Sequence, residues 1–328
     1  MRSPDRGSVV WPLQTALLVL AALYALWFHL TLPGKLPAEE DYAQVARHLG
    51  EHARDGDAVL LFPWWAERAR LFVPRNVPVV GYVGSDADPL LRHPRVWVLA
   101  QPRLPRAKTG QFEAAFLPQR RKLGETMQFG TLELTLYENG RHRRPLWSAG
   151  EAVARGAGRV YLERADGRRS DCTRAGDGWR CPGGGHLYVR TEWHEVFYEP
   201  RRCVYAHAPG GDVKLTMEFE DVPAHADELL LEAGIIWEHA VKRQGITPTF
   251  VRLDRAGAAQ PLIELELPPG VEGFQRGRFE DLNGSSVTGP LRVTVQSQNA
   301  DSRQVCLDLS AFGERTGDGD AAAAGAPK

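Results

Sequence analysis

HLYVRTEWHEVFY, residues 186–198, decides the fold: β-branched and aromatic side chains run through it, with glycines at 183–185 before it and Pro200 after it. Working outward, runs of the same character recur between Gly and Pro turns. Upstream lies RVYLER (159–164); downstream lie CVYAHAP (203–209), DVKLTMEF (212–219), PTFVRL (248–253), LIELEL (262–267), LRVTVQSQ (291–298) and QVCLDL (304–309). Short strands at this spacing predict a β-sandwich of jelly-roll type over residues 147–312. Residues 227–243 place Leu229, Leu230, Ile235, Ile236 and Val241 at spacings that suit a helix nearly as well as a strand and bend; the strand is the reading adopted. The tail GERTGDGDAAAAGAPK, from 313 to 328, has no apolar residue larger than alanine and is expected to be disordered.

Before the sandwich, residues 39–139 read as a small α/β unit. Tyr42, Val45, Ala46 and Leu49 mark one face of a helix over 39–54, and the turn Arg54-Asp55-Gly56-Asp57 leads to the buried strand AVLLFP. A helix near 64–73, the strands VPVVGYVG and VWVLAQ, and a helix over 112–123 follow, with MQFGTLELTLYEN closing the unit near Asn139. The basic stretch GRHRRP at 140–145 is the boundary. The fold class is therefore α+β.

The N-terminus carries a different signal. VVWPLQTALLVLAALYALWFHLTL, residues 9–32, holds no formal charge and is long enough to span a hydrocarbon core of about 30 Å. Trp11 and Trp27 sit near its two ends, where interfacial aromatics belong. It is longer than the apolar part of a secretory signal and no A-x-A site follows, so it reads as an uncleaved signal-anchor. Arg2 and Arg6 precede it, whereas Glu39, Glu40 and Asp41 follow Lys35; the positive-inside bias leaves residues 1–8 as a cytoplasmic tail and exports the rest, on a single pass through the inner membrane. The four cysteines agree with an oxidising compartment. Cys172 and Cys181 flank the turn-forming DCTRAGDGWRC, which leaves Cys203 and Cys306 to pair over a long loop. No C-x-x-C occurs, so two structural bridges are expected rather than zinc.

Charge narrows the function. A formal net charge of -1 with no basic block excludes the electrostatic footprint of a nucleic-acid binder. No Walker loop, dinucleotide fingerprint, nucleophile elbow or EF-hand loop is present, so no cofactor, metal or catalytic residue is expected. Trp193-His194-Glu195 falls short of a zinc-protease motif, because position 198 is Tyr198 rather than histidine. The alternation around Trp193 reads as a strand face packing a core. The acidic turn GSDADP (84–89) reads as an ordinary Asp-rich turn. The candidate binding residues lie in the sandwich region. Trp237, Glu238 and His239 join an aromatic ring, an acid and an imidazole at a loop, a set able to stack on a sugar and bond its hydroxyls. Asp281 and Asn283, beside Glu280, offer oxygens on a second loop; His207 shares a strand face with Cys203 four residues earlier and reads as a buried, hydrogen-bonded histidine more readily than as a binding contact.

DYAQVARHLGEHARDGDAVLLFP (41–63) resembles the extracytoplasmic C-terminal segments of bacterial dolichyl-phosphate-mannose mannosyltransferase-like membrane glycosyltransferases, in which a similar helix, turn and strand follow the last span. RRCVYAHAPGG (201–211), EAGI (232–235) and SRQVCLDLSAF (302–312) are similar to a β-sandwich associated with such envelope enzymes. This chain lacks the multi-span bundle that would hold a polyprenyl donor. The acidic Glu39-Glu40-Asp41 is read as a solvated helix N-terminus rather than a catalytic pair. The resemblance implies an accessory or binding protein that works near envelope glycan or glycolipid, with a membrane glycosyltransferase as an expected partner. The alternative is a structural subunit of a membrane complex that binds no glycan.

Overall fold

The computed structural model describes residues 7–313 with the exception of 33, 35, 64, 82–89, 91, 105–107, 141, 198, 224–225, 237, 239–246, 257, 259, 271–272, 281–289 and 302. Helix α1 (Gly7–Thr31) is long and apolar enough to cross a membrane, and no residue of its window Gln14–Thr31 is buried by the other described residues. The large apolar side chains it exposes, Leu17, Leu20, Leu23, Tyr24, Trp27 and Phe28 among them, suit a lipid surround.

Helix α2 (Glu39–His52) opens the α/β unit. Its first turn holds Glu39, Glu40 and Asp41, and the Asp41 carboxylate accepts the Ala38 amide at 2.9 Å, so these acids do cap a helix start. Tyr42, Val45 and Leu49 form its buried face. Strand β1 (Ala58–Phe62) lies between β2 (Val79–Gly81) and β3 (Arg95–Ala100), parallel to both. All five β1 residues are buried, because one face of the sheet packs on α2 and the other on helix α3 (Thr109–Phe116). The hairpin of β4 (Arg120–Phe129) and β5 (Leu132–Asn139) completes the order β2-β1-β3-β5-β4. Two expectations need correction here. The helix over 112–123 stops at Phe116, since Pro118 follows and residues from Arg120 onward pair with β5; the helix near 64–73 is only a 3-10 turn, Glu67–Leu71, between Pro63 and Pro74.

All the strand-like runs quoted above form strands of two facing antiparallel sheets. One sheet runs β17 (Gln275–Glu280), β14 (Glu228–Ile235), β19 (Gln304–Phe312), β12 (Glu199–His207), β11 (Tyr188–Val196), β10 (Gly178–Arg180), β9 (Thr173–Ala175), with β6 (Trp147–Ser148) beside β19. The other runs β16 (Ile263–Leu267), β15 (Thr249–Arg255), β18 (Leu291–Ser297), β13 (Val213–Phe219), β7 (Arg159–Arg164), β8 (Arg169–Asp171). From β12 to β15 the chain changes sheet at every step, and from β16 to β19 it does so again, which is jelly-roll connectivity. The interior is filled from both sides: Leu215, Met217, Phe219, Leu253, Val293 and Val295 face Val204, Leu229, Leu231, Val305, Leu307 and Leu309. Helix α4 (Ala149–Arg155), which sequence reading missed, buries Ala149, Ala152 and Val153 in the same core. Ser148 caps it by accepting the Glu151 amide at 3.3 Å, and Gly156 ends it in the left-handed conformation at φ 78°.

Both disulfides form as expected, Cys172 with Cys181 and Cys203 with Cys306. The second ties the neighbouring strands β12 and β19 on the outer face of the larger sheet. The α/β unit sits against that outer face through ionic contacts. Arg92 reaches both Glu232 on β14 and Asp308 on β19, and Arg143 reaches Glu228 and lies 4.7 Å over the Phe312 ring.

Candidate functional site

Of the residues singled out from sequence, Trp237, His239, Asp281 and Asn283 lie outside the described residues, and Glu238 is exposed. His207 shares a strand face with Cys203 as predicted, and it is buried. Its Nε2–H donates to the Ala300 carbonyl at 2.8 Å, and its ring meets His186 edge-on at 4.9 Å between centroids. Burial, with His186 beside it, holds its pKa below the ordinary imidazole value. A neutral imidazole spent on a main-chain carbonyl is a packing residue. Among the described residues no group of three or more His, Cys, Asp or Glu side chains is placed to hold a metal.

The hairpin β11–β12 brings together a different set. Val189 and Val204 point into the core, so Tyr188, Arg190, Glu192 and His194 on β11, and Arg201, Cys203, Tyr205 and His207 on β12, point outward. Tyr188 stacks on Tyr205 at 4.3 Å. Glu192 accepts the Tyr188 hydroxyl at 3.1 Å and the His194 ring at 2.8 Å, and its other oxygen pairs with Arg190. Burial pushes the Tyr205 hydroxyl well above its usual range, with Tyr188 and Glu192 adding to the shift. These groups satisfy one another, and the network is a rigid wall rather than a set of open contacts.

The opposite face of the same hairpin is open at its far end. Thr191 still touches α4, donating to the Gly150 carbonyl at 2.7 Å, but the strand continues past that helix. Trp193, the next residue on that face, is consequently 54% exposed. This corrects the expectation that Trp193 packs a core: alternation assigns the side of the sheet, whereas α4, only seven residues long, decides how far along the strand that side is covered. Trp193 and Pro200 form one wall of a cleft of about 240 Å³; Arg70, Val73, Pro74, Arg75, Val77 and Val79 of the α/β unit form the other.

The charges around this cleft are unevenly used. Arg70 pairs with Glu67 and donates to the Val79 carbonyl at 2.8 Å. Arg75 is exposed and makes no ion pair or hydrogen bond with any described residue. Arg202, directly opposite Trp193 in the β11–β12 register, and Glu195, next along its face, are likewise unpaired. An exposed indole between apolar walls, with three uncommitted charged groups, can stack on a flat apolar ring face and bond polar substituents at its edge.

No known protein-family profile and no curated protein matches this sequence. Among solved structures, a xylanase (Xylanase10C from Cellvibrio japonicus, in complex with xylopentaose) superposes over 48% of this chain and 27% of its own, at 6% identity and a TM-score of 0.27. The xylan-binding module CBM15 covers 48% of this chain and 92% of its own, at 6% identity and 0.27. The CBM51-2 and INT domains of ZmpB from Clostridium perfringens, in complex with GlcNAc, cover 51% of this chain and 40% of their own, at 11% identity and 0.28. Scores this low carry no argument about a ligand, and the sandwich assignment stands on the strand register alone.

Proposed function

We propose that this is a membrane-anchored accessory protein of the cell envelope that binds glycan in the cleft at Trp193. Helix α1 anchors it in the inner membrane with the N-terminus cytoplasmic, and the α/β unit and sandwich lie outside the cytoplasm. Two disulfides within the sandwich support that side, since such bonds persist in oxidising compartments. The observation that carries the binding role is the 54% exposure of Trp193 in a walled cleft. That indole faces a walled cleft rather than open solvent, and indole faces pair well with the C–H faces of pyranose rings. The resemblance of residues 41–63 to extracytoplasmic parts of membrane glycosyltransferases supplies the setting, glycan or glycolipid chemistry with such an enzyme as partner. The test uses the full-length oxidised protein in detergent micelles on a broad glycan array, beside Trp193→Ala. Saturable binding lost in the variant is the expected result. Absence of binding across the array would sink the proposal and favour a purely structural subunit.

A further inference from the structure

Resting on that reading, the geometry points to an acidic saccharide, one bearing a carboxylate or phosphate, as the ligand class of the Trp193 cleft. Among the described residues its charged lining is Arg70 and Arg75, and no described acidic side chain lines it. Glu67 neutralises Arg70 from outside the lining, which leaves Arg75 as a free cation on the α/β wall. Arg202 adds a second free guanidinium on the sandwich side. Glu195 is an unpaired acid among the described residues nearby; it sits beyond Trp193 on the strand face, level with Pro200 in the register.

The arrangement sorts the parts of an acidic sugar. Its ring face lies on the indole, its hydroxyls at one end meet the Glu195 carboxylate, and its anionic substituent meets Arg75 across the cleft. A guanidinium presents a planar fork that matches carboxylate or phosphate oxygens two at a time. An uncommitted one gives up no existing partner on binding, unlike Arg70 or Arg190. A neutral sugar would make the stacking contact and leave Arg75 idle. The cleft should therefore accept neutral glycans weakly and acidic ones more tightly.

The test compares uronate oligosaccharides of the galacturonate, glucuronate and mannuronate series with their methyl esters, which differ in charge but keep the sugar ring. Binding to the full-length protein in neutral detergent is measured by calorimetry at low and high salt. We expect the acids to bind about tenfold or more tightly than the esters at low salt, the size of one charge-assisted hydrogen bond, with the gap narrowing several-fold at about 0.5 M salt. Arg75→Gln should remove most of that gap with thermal stability unchanged; Trp193→Ala should remove binding of both. Equal binding of acid and ester, lost in Trp193→Ala, would overturn the acidic preference and leave the glycan-binding reading standing. A gap that survives Arg75→Gln would overturn it as well. Binding of neither ligand in any series would overturn both.

Discussion

Arg92 of the α/β unit and Glu232 of strand β14 form an ion pair in which the carboxylate is almost wholly buried. The same Glu232 side chain holds Arg201 at 2.9 Å and Arg276 at 2.8 Å, while Arg92 also reaches Asp308. One buried acid thus pairs with three guanidiniums, two from the sandwich and one from the unit docked on it. This fixes how the wall carrying Arg75 stands against the wall carrying Trp193.

The members of this network are unequal. Glu232→Gln removes the buried charge shared by Arg92, Arg201 and Arg276 and should destabilise by about 3–5 kcal/mol, the range for breaking a buried pair by removing one partner. Arg276→Gln leaves Glu232 two other cations and should cost about 1–2 kcal/mol. Urea unfolding of the two single variants and the double variant would show the coupling as a non-additive remainder. Equal losses for the two single changes would mean that the carboxylate is not the hub.

The two disulfides close loops of very different length. In the chain-entropy account, Cys203–Cys306, across a separation of 103 residues, contributes about 4–5 kcal/mol, and Cys172–Cys181, across 9, contributes about 3. Replacing Cys203 and Cys306 with alanine should therefore lower the urea midpoint more than replacing Cys172 and Cys181. Thiol reductant should affect the wild type more than either variant.

The sandwich was legible because period-two patterns such as LIELEL and LRVTVQS survive whatever packs on them, and because turn glycines punctuate the runs. Helix α4 carried a readable signal, Ser148 three residues before Glu151, but seven residues give too little periodicity to notice. The site was not legible, for a reason Trp193 illustrates. Sequence assigns a strand residue to a face, yet whether that face is covered depends on where α4 ends and where Pro74–Val79 of another unit comes to rest. The partners of Glu232 were equally hidden, since Arg92 lies 140 residues away in the chain.

His207 sets a direction for pH dependence. Burial depresses its folded-state pKa, so the unfolded chain takes up a proton first; stability is fully present above the unfolded value of about 6.5 and falls as the pH drops through it. His48, stacked on His52 at 4.1 Å and also depressed by burial, acts in the same sense. Wild type should thus show a falling urea midpoint between about pH 7.5 and 5. His207→Gln should be less stable at pH 7.5 but show a shallower decline. A slope unchanged by the substitution would assign the acid sensitivity elsewhere.

Two aromatic truncations should separate binding from folding. Phe219 is 1% exposed and meets Trp147 edge-on at 5.2 Å in the sandwich core, so Phe219→Ala should cost about 3–5 kcal/mol. Trp193 buries far less of its surface, and Trp193→Ala should change stability by only about 0.5 kcal/mol. The cleft variant can then be tested for ligand as a folded protein, and a lost glycan signal would report the missing indole face. A large destabilisation in Trp193→Ala would instead show that the indole holds the hairpin against the α/β unit, giving the cleft a structural role.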